Sequence, residues 1–220
     1  MKNATAHARK LRSLLRSNRG TADDLAVFEN PIDQMIHAFL VWETTRRQGD
    51  QAHSRLMKRF VDFNDLRVSD PNEIVDAIGE RFSRVEERAL RIRDALHAIY
   101  LREHVVSLEP LSEMSKRDAR AYLEGLDGVP PFVAASVLLL SLDGHAIPVD
   151  EQLAARLKRD GAADEDATLE EIQAFLEHQI KAADAFAAHA KLRTLVESGS
   201  TSRNPKTTSK KTTKSSSKRT

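Results

Sequence analysis

Apolar residues recur along this chain at intervals of three and four, and nowhere do they alternate over the length of a strand. Such spacing admits helices and little else. Pro31 opens one at its first turn, with Ile32, Met35, Ile36, Phe39 and Leu40 along one stripe. Gly49-Asp50 is expected to break the chain before a second helix, marked by Leu56, Phe60 and Phe63. Asp70-Pro71 starts a third, which turns Ile74, Val75 and Ile78 inward and ends at Gly79. A long helix follows over 83–103, its apolar positions being Val85, Leu90, Ile92, Ala95, Leu96 and Ile99. Another follows Ser115 and ends near Glu124, and an apolar one covers 132–141. The spacing further predicts helices from Asp150 to Lys158, after the capping box of Thr168 and Glu171, and over 182–196. The predicted class is all-α.

From Ser198 onward the chain is almost all Ser, Thr and Lys, with no residue able to anchor a core, which predicts a disordered tail. Charge sharpens the division. Residues 1–20 carry six Lys/Arg and residues 198–220 carry seven, with no acid in either stretch. The other 21 of the 34 Lys/Arg share residues 21–197 with all 33 acids. The expected layout is a basic N-terminal segment over 1–20, a helical domain over 21–197 and a Lys/Ser/Thr-rich tail over 198–220. Basic ends around an acidic body suit a polyanionic partner, or serve solubility alone.

Cysteine is absent. That excludes thiolate zinc sites and cysteine-held iron–sulfur clusters, and no cofactor is expected. No His/Asp/Glu pair has the spacing of a metal site. The longest apolar run, 132–140, is about half of a membrane span. The basic N-terminus lacks the apolar core of a secretory leader. A monomeric, cytoplasmic protein without membrane contact is expected, nucleoid-associated if bacterial.

The stretch from 126 to 157 combines a helix end, a tight connection, an apolar helix, a loop and a carboxylate at a helix start. Gly128 lies where the chain turns sharply, and free N–H groups at such a turn grip a phosphate without reading bases. Asp150 has two available uses. It caps its own helix by accepting backbone N–H bonds, or it supplies a catalytic carboxylate.

These residues resemble the helix-hairpin-helix and Gly/Pro-Asp loop of the endonuclease III superfamily of DNA glycosylases. Leu126, Gly128, Val129 and Ala134 match the hairpin, and Val149-Asp150 match the loop that ends in the family's catalytic aspartate. Fainter likenesses flank them, over Asn30 to Thr44 and over Phe186 to Lys191. The resemblance implies a two-lobed helical bundle that binds double-stranded DNA and flips a nucleotide into the cleft between its lobes. It implies Asp150 as the catalytic residue, stabilising positive charge at the sugar while water replaces the base. Gly128, Val129 and Pro130 would meet a phosphate, and Glu43 would stand at the gap left by the flipped base. Lys210, Lys211 and Lys214 would add sequence-independent contacts.

Departures from the family pattern are as informative as the matches. Phe132 stands where strand-nicking members carry a Schiff-base lysine, which excludes lyase chemistry through that position. Pro130 replaces a hairpin glycine and removes one donor. A carboxylate at Glu43 repels phosphate unless it pairs with Arg46 or Arg47. Trp42 suits a base stack or a core position, His37 and His189 suit packing, and His145 suits either substrate contact or solvent. Two functions follow, a monofunctional base-excision glycosylase or a catalytically inactive DNA-binding relative with a structural or regulatory role. A plain helical scaffold, with Asp150 only a cap, is the third reading. An active enzyme requires Asp150 to face an open cleft, with Phe132 lining that cleft and not plugging it.

Overall fold

The computed structural model of the chain describes residues 2–200; the stretch 201–220, with Lys210, Lys211 and Lys214, lies outside the described residues. Eleven α-helices follow one another, with no strand among the described residues. They are α1 (Ala4–Ser17), α2 (Pro31–Val41), α3 (Arg46–Arg59), α4 (Phe63–Val68), α5 (Pro71–Ile78), α6 (Val85–Glu103), α7 (Lys116–Glu124), α8 (Pro131–Leu140), α9 (Glu151–Arg159), α10 (Leu169–Gln179) and α11 (Ala185–Ser200).

Local capping chemistry sets most of these boundaries. The Asn30 side chain accepts from Ile32 N–H, with Pro31 at the first helical position. Reciprocal capping boxes start α3 (Thr45 with Gln48), α5 (Asp70 with Glu73) and α10 (Thr168 with Glu171). Each such cap stabilises its helix by about 1 kcal/mol. Gly79 closes α5 at φ 106°, a conformation that L side chains rarely adopt.

The break expected at Gly49-Asp50 does not occur. α3 runs straight through both residues. A Cβ on residue 49 would stand 2.4 Å from Val41 Cγ1 and 3.2 Å from the Leu40 carbonyl, so the glycine lets α3 cross close over the end of α2. The chain breaks instead after Arg59, which assigns Phe60 to a cap and Phe63 to a separate short helix. Leu90 also departs from expectation: it faces outward on α6.

Residues 1–20, legible only as charge, contain α1, whose His7, Ala8 and Leu11 are buried. His7 ties this helix to the chain beyond α9. Its Nδ1 lies 2.9 Å from the Gly161 carbonyl and its Nε2 lies 2.9 Å from Asp164 Oδ1. Both neighbours are acceptors, which suits the doubly protonated ring. The Gly161 carbonyl and then Asp164 raise its pKa.

α2 is the centre of the packing, with ten of its eleven residues buried. α3 and α8 lie against it, and α5, α6 and α4 extend this first lobe. The second lobe comes from the two ends of the described chain, α1 with α9, α10 and α11. α11 also touches α8, so the lobes meet along α2, α8 and α11. α8 is apolar all round and buried from Phe132 to Leu139, as a helix between two lobes must be.

Gly49→Ala tests the close crossing of α2 and α3. Alanine gains about 1 kcal/mol of helix propensity, but overpacking of this kind costs roughly 1–3 kcal/mol, so a net loss is expected in denaturant unfolding. Trimming the opposing side chain with Val41→Ala should abolish that loss.

Candidate functional site

The hairpin between α7 and α8 keeps its glycine for two reasons. Gly128 sits at φ 82°, and a Cβ there would come within 2.9 Å of the Arg91 carbonyl. The turn closes with Val129 N–H donating to the Leu126 carbonyl at 3.2 Å. Pro130, at φ −70°, is the N-cap of α8 and Pro131 its first residue. The two prolines supply no donors. The N–H groups of Gly128 and Phe132 remain without an acceptor among the described residues.

Asp150 sits at the N-cap of α9 and is completely buried. One carboxylate oxygen accepts from Leu153 N–H at 2.8 Å. The other accepts from Arg193 Nη1 at 2.8 Å and from Glu43 N–H at 3.2 Å. Arg193, also buried, donates through Nη2 to the Val41 carbonyl at 3.1 Å and the Thr44 carbonyl at 2.9 Å. A second buried arginine completes this corner. Arg88 donates to the carbonyls of Phe39, Trp42 and Ser83, and burial pushes its pKa down to about 10, so it stays charged at neutral pH. The two guanidiniums satisfy carbonyls at the end of α2 that the helix itself leaves unpaired.

The expected open cleft before Asp150 is therefore closed. Phe132 is buried, with the Arg193 guanidinium 5.7 Å from its ring centroid, and it fills the seam between the lobes. What space remains there is a cavity of ≈ 20 Å³ bordered by Gln34, Ser136, His189 and Arg193. That is room for about one water, whereas a pocket for a ligand such as a nucleobase needs roughly 300 Å³ or more. Gln34 Nε2 and His189 Nδ1 are buried without a hydrogen-bond partner among the described residues. A wider groove of ≈ 550 Å³, lined by Gln48, Arg55, Arg81 and Phe82, does not reach Asp150.

Glu43 takes the left-handed conformation at φ 54°, which turns its N–H toward Asp150 and its carbonyl toward Gln152 Nε2 at 2.8 Å. Its carboxylate pairs with Arg84 at 2.5 Å, not with Arg46 or Arg47. Arg46 is engaged by Glu197 at 3.0 Å instead, and Arg47 is exposed. Trp42 is half-buried beneath Arg84, Arg88 and Arg91, whose guanidiniums lie 4.9, 5.5 and 5.6 Å from its ring centroid. His145 is fixed by the Ile180 carbonyl at 2.9 Å. His37 and His189 are buried, as their apolar helix faces suggest. Among the described residues no group of His, Asp and Glu is placed to hold a metal ion, and no helix is long and apolar enough to cross a membrane.

This order of helices overlays solved structures along nearly its whole length. A trapped covalent intermediate of endonuclease III with DNA matches at a TM-score of 0.71 and 18% identity, covering 94% of this chain and 92% of that one. The fold is that of the helix-hairpin-helix DNA glycosylases. The H. pylori 3-methyladenine DNA glycosylase bound to 1,N6-ethenoadenine matches at 0.66 and 16%, covering 88% of this chain and 98% of that one. A thermostable thymine-DNA glycosylase matches at 0.60 and 14%, covering 94% and 90%. No family model matches the sequence, and no curated protein matches it.

Sequence reasoning singled out Asp150 but missed Arg193, its buried partner. A signal was present. Arg193 stands one turn beyond His189 on the inward stripe of α11, and a cation there requires a buried partner.

Two measurements test the seam. Arg193→Met should cost roughly 3–5 kcal/mol, because it leaves Asp150 buried and uncompensated, and adding Asp150→Asn should recover part of that loss. Burial, then the charges of Arg193 and Arg46, push the His189 pKa down to about 3. A depressed histidine pKa weakens folding as pH falls below the unfolded value of about 6.5, by about 2 kcal/mol at pH 5. Denaturant titrations across that range should show this slope in the wild type and lose most of it in His189→Gln.

Proposed function

We propose that the chain is a DNA-binding protein built on the glycosylase fold with its hydrolytic centre closed, a catalytically inactive relative with a structural or regulatory role. The observation that carries this reading is the buried Asp150–Arg193 pair. An acid that is to stabilise a positively charged sugar must meet that sugar across an open cleft. Here both oxygens are committed to Arg193, Leu153 N–H and Glu43 N–H, and the counter-charge is already in place. Base removal through Asp150 requires Arg193 to be withdrawn and Phe132 displaced, against close packing on both sides.

DNA binding is supported by other features. The unpaired N–H groups of Gly128 and Phe132, flanking Val129 and Pro130, suit one phosphate at the start of α8. Glu43 no longer repels phosphate, since Arg84 neutralises it. Lys210, Lys211 and Lys214 would add contacts that carry no sequence preference.

Binding of the full chain to a random-sequence duplex, followed by fluorescence anisotropy over a salt series, tests this directly. Affinity should fall steeply with salt, and replacing Lys210, Lys211 and Lys214 by Gln should reduce the log–log slope by roughly 2.7, about 0.9 per phosphate contact. Duplexes with deaminated, alkylated or oxidised bases should release no free base. Release that disappears in Asp150→Asn would restore the monofunctional glycosylase, and no binding at low salt would remove the DNA reading altogether.

A further inference from the structure

α1 presents a surface that the site at the seam leaves unused. On a helix of 3.6 residues per turn, Arg9, Arg12, Ser13, Arg16 and Ser17 share one face, with Lys10 at its margin. All six are exposed. The opposite face buries His7, Ala8 and Leu11, and the clasp of His7 on Gly161 and Asp164 fixes the helix in place. The cations therefore stand on a rigid rod.

Their electrostatic surroundings set them apart. Most other prominent arginines are spent on carboxylates: Arg46 on Glu197 at 3.0 Å, Arg120 on Glu177 at 2.9 Å and Arg156 on Asp160 at 2.7 Å. Arg9, Lys10, Arg12 and Arg16 have no carboxylate within 4.0 Å among the described residues, and residues 1–20 contain no acid. The acids nearest this helix are occupied at its start, Asp164 by His7 and Asp166 by Lys2. Arg9, Ser13, Arg16 and Ser17 line a shallow open groove of ≈ 390 Å³. Guanidiniums with the Ser13 hydroxyl between them are donors that phosphate oxygens accept from, whereas Ser17 already donates to the Leu14 carbonyl. From Arg9 to Arg16 the rod rises about 10 Å, enough to meet more than one phosphate of a strand.

We propose that this face of α1 is a second docking surface for the sugar–phosphate backbone of DNA, separate from the hairpin. The proposal rests on the reading that the chain binds DNA. A lipid surface fits less well, because membrane-lying basic helices insert an apolar face and that of α1 is already packed inside the protein.

The test uses the full chain carrying Arg9→Gln, Lys10→Gln and Arg16→Gln together, changes that keep helix propensity and touch no buried group. Duplex binding is measured over a salt series beside the wild type and an Arg117→Gln control, whose arginine is exposed on α7. The triple variant should bind more weakly, with the slope of log affinity against log salt reduced by roughly 2.7, while the control stays within error of the wild type. An unchanged slope in a triple variant of wild-type melting temperature overturns the proposal and leaves DNA binding intact. Wild-type protein that fails to bind duplex overturns both. Capture by phosphatidylserine vesicles that is lost in the triple variant, with the DNA slope unchanged, gives the surface to lipid and also overturns the proposal.

Discussion

A buried ion pair, its acid met by three donors, ties together this molecule's interior. Asp150 and Arg193 together join the start of α9, the middle of α11, the corner after α2 and the backbone of Glu43. Pairs of this kind add little net stability, because removing two charges from water costs about what their attraction returns. Here the acid draws its three donors from α9, α11 and the corner after α2, and the bond from Glu43 N–H accompanies that residue's left-handed conformation.

The same pair underlies the proposal that fold and activity are separated here. The arrangement of helices is that of enzymes whose solved structures hold DNA or a modified base, and a carboxylate stands at the start of α9. Yet catalysis depends on where charge is left unbalanced, and a fold does not preserve that. Arg193 balances it, Phe132 occupies the space before it, and a void of ≈ 20 Å³ is what remains. The scaffold's surface, by contrast, presents the hairpin turn at Gly128 and the cations of α1.

How much of this was legible in the sequence follows from range. Boundaries fixed by neighbours a few residues apart were readable: Pro31 after Asn30, Asp70-Pro71 with Gly79, Thr168 with Glu171. Gly49 misled because its reason lies eight positions back, in the Val41 side chain that a Cβ would strike. α1 was hidden by its own charge, although His7, Ala8 and Leu11 sit at helical spacing. At the site, Asp150 and the hairpin stood out through their motif, whereas Arg193 lies 43 residues away and belongs to no local pattern. Its one trace was a cation on an inward stripe, and Arg88, in line with Val85, Ile92 and Ile99, carries the same trace.

Assembling one lobe from both ends of the described chain has a consequence for biosynthesis. α1 is made before α2 to α10, but α11, the helix it rests on, follows all of them. At about 5–20 residues per second, on the order of ten to thirty seconds separate the two. Meanwhile α2 to α8 hold most of their mutual contacts and are free to condense first. Asp150 then emerges ahead of the arginine that neutralises it. The mouth between the lobes thus shuts only once α11 has been made, and a chain halted before residue 193 would leave the acid at the edge of its first lobe unshielded.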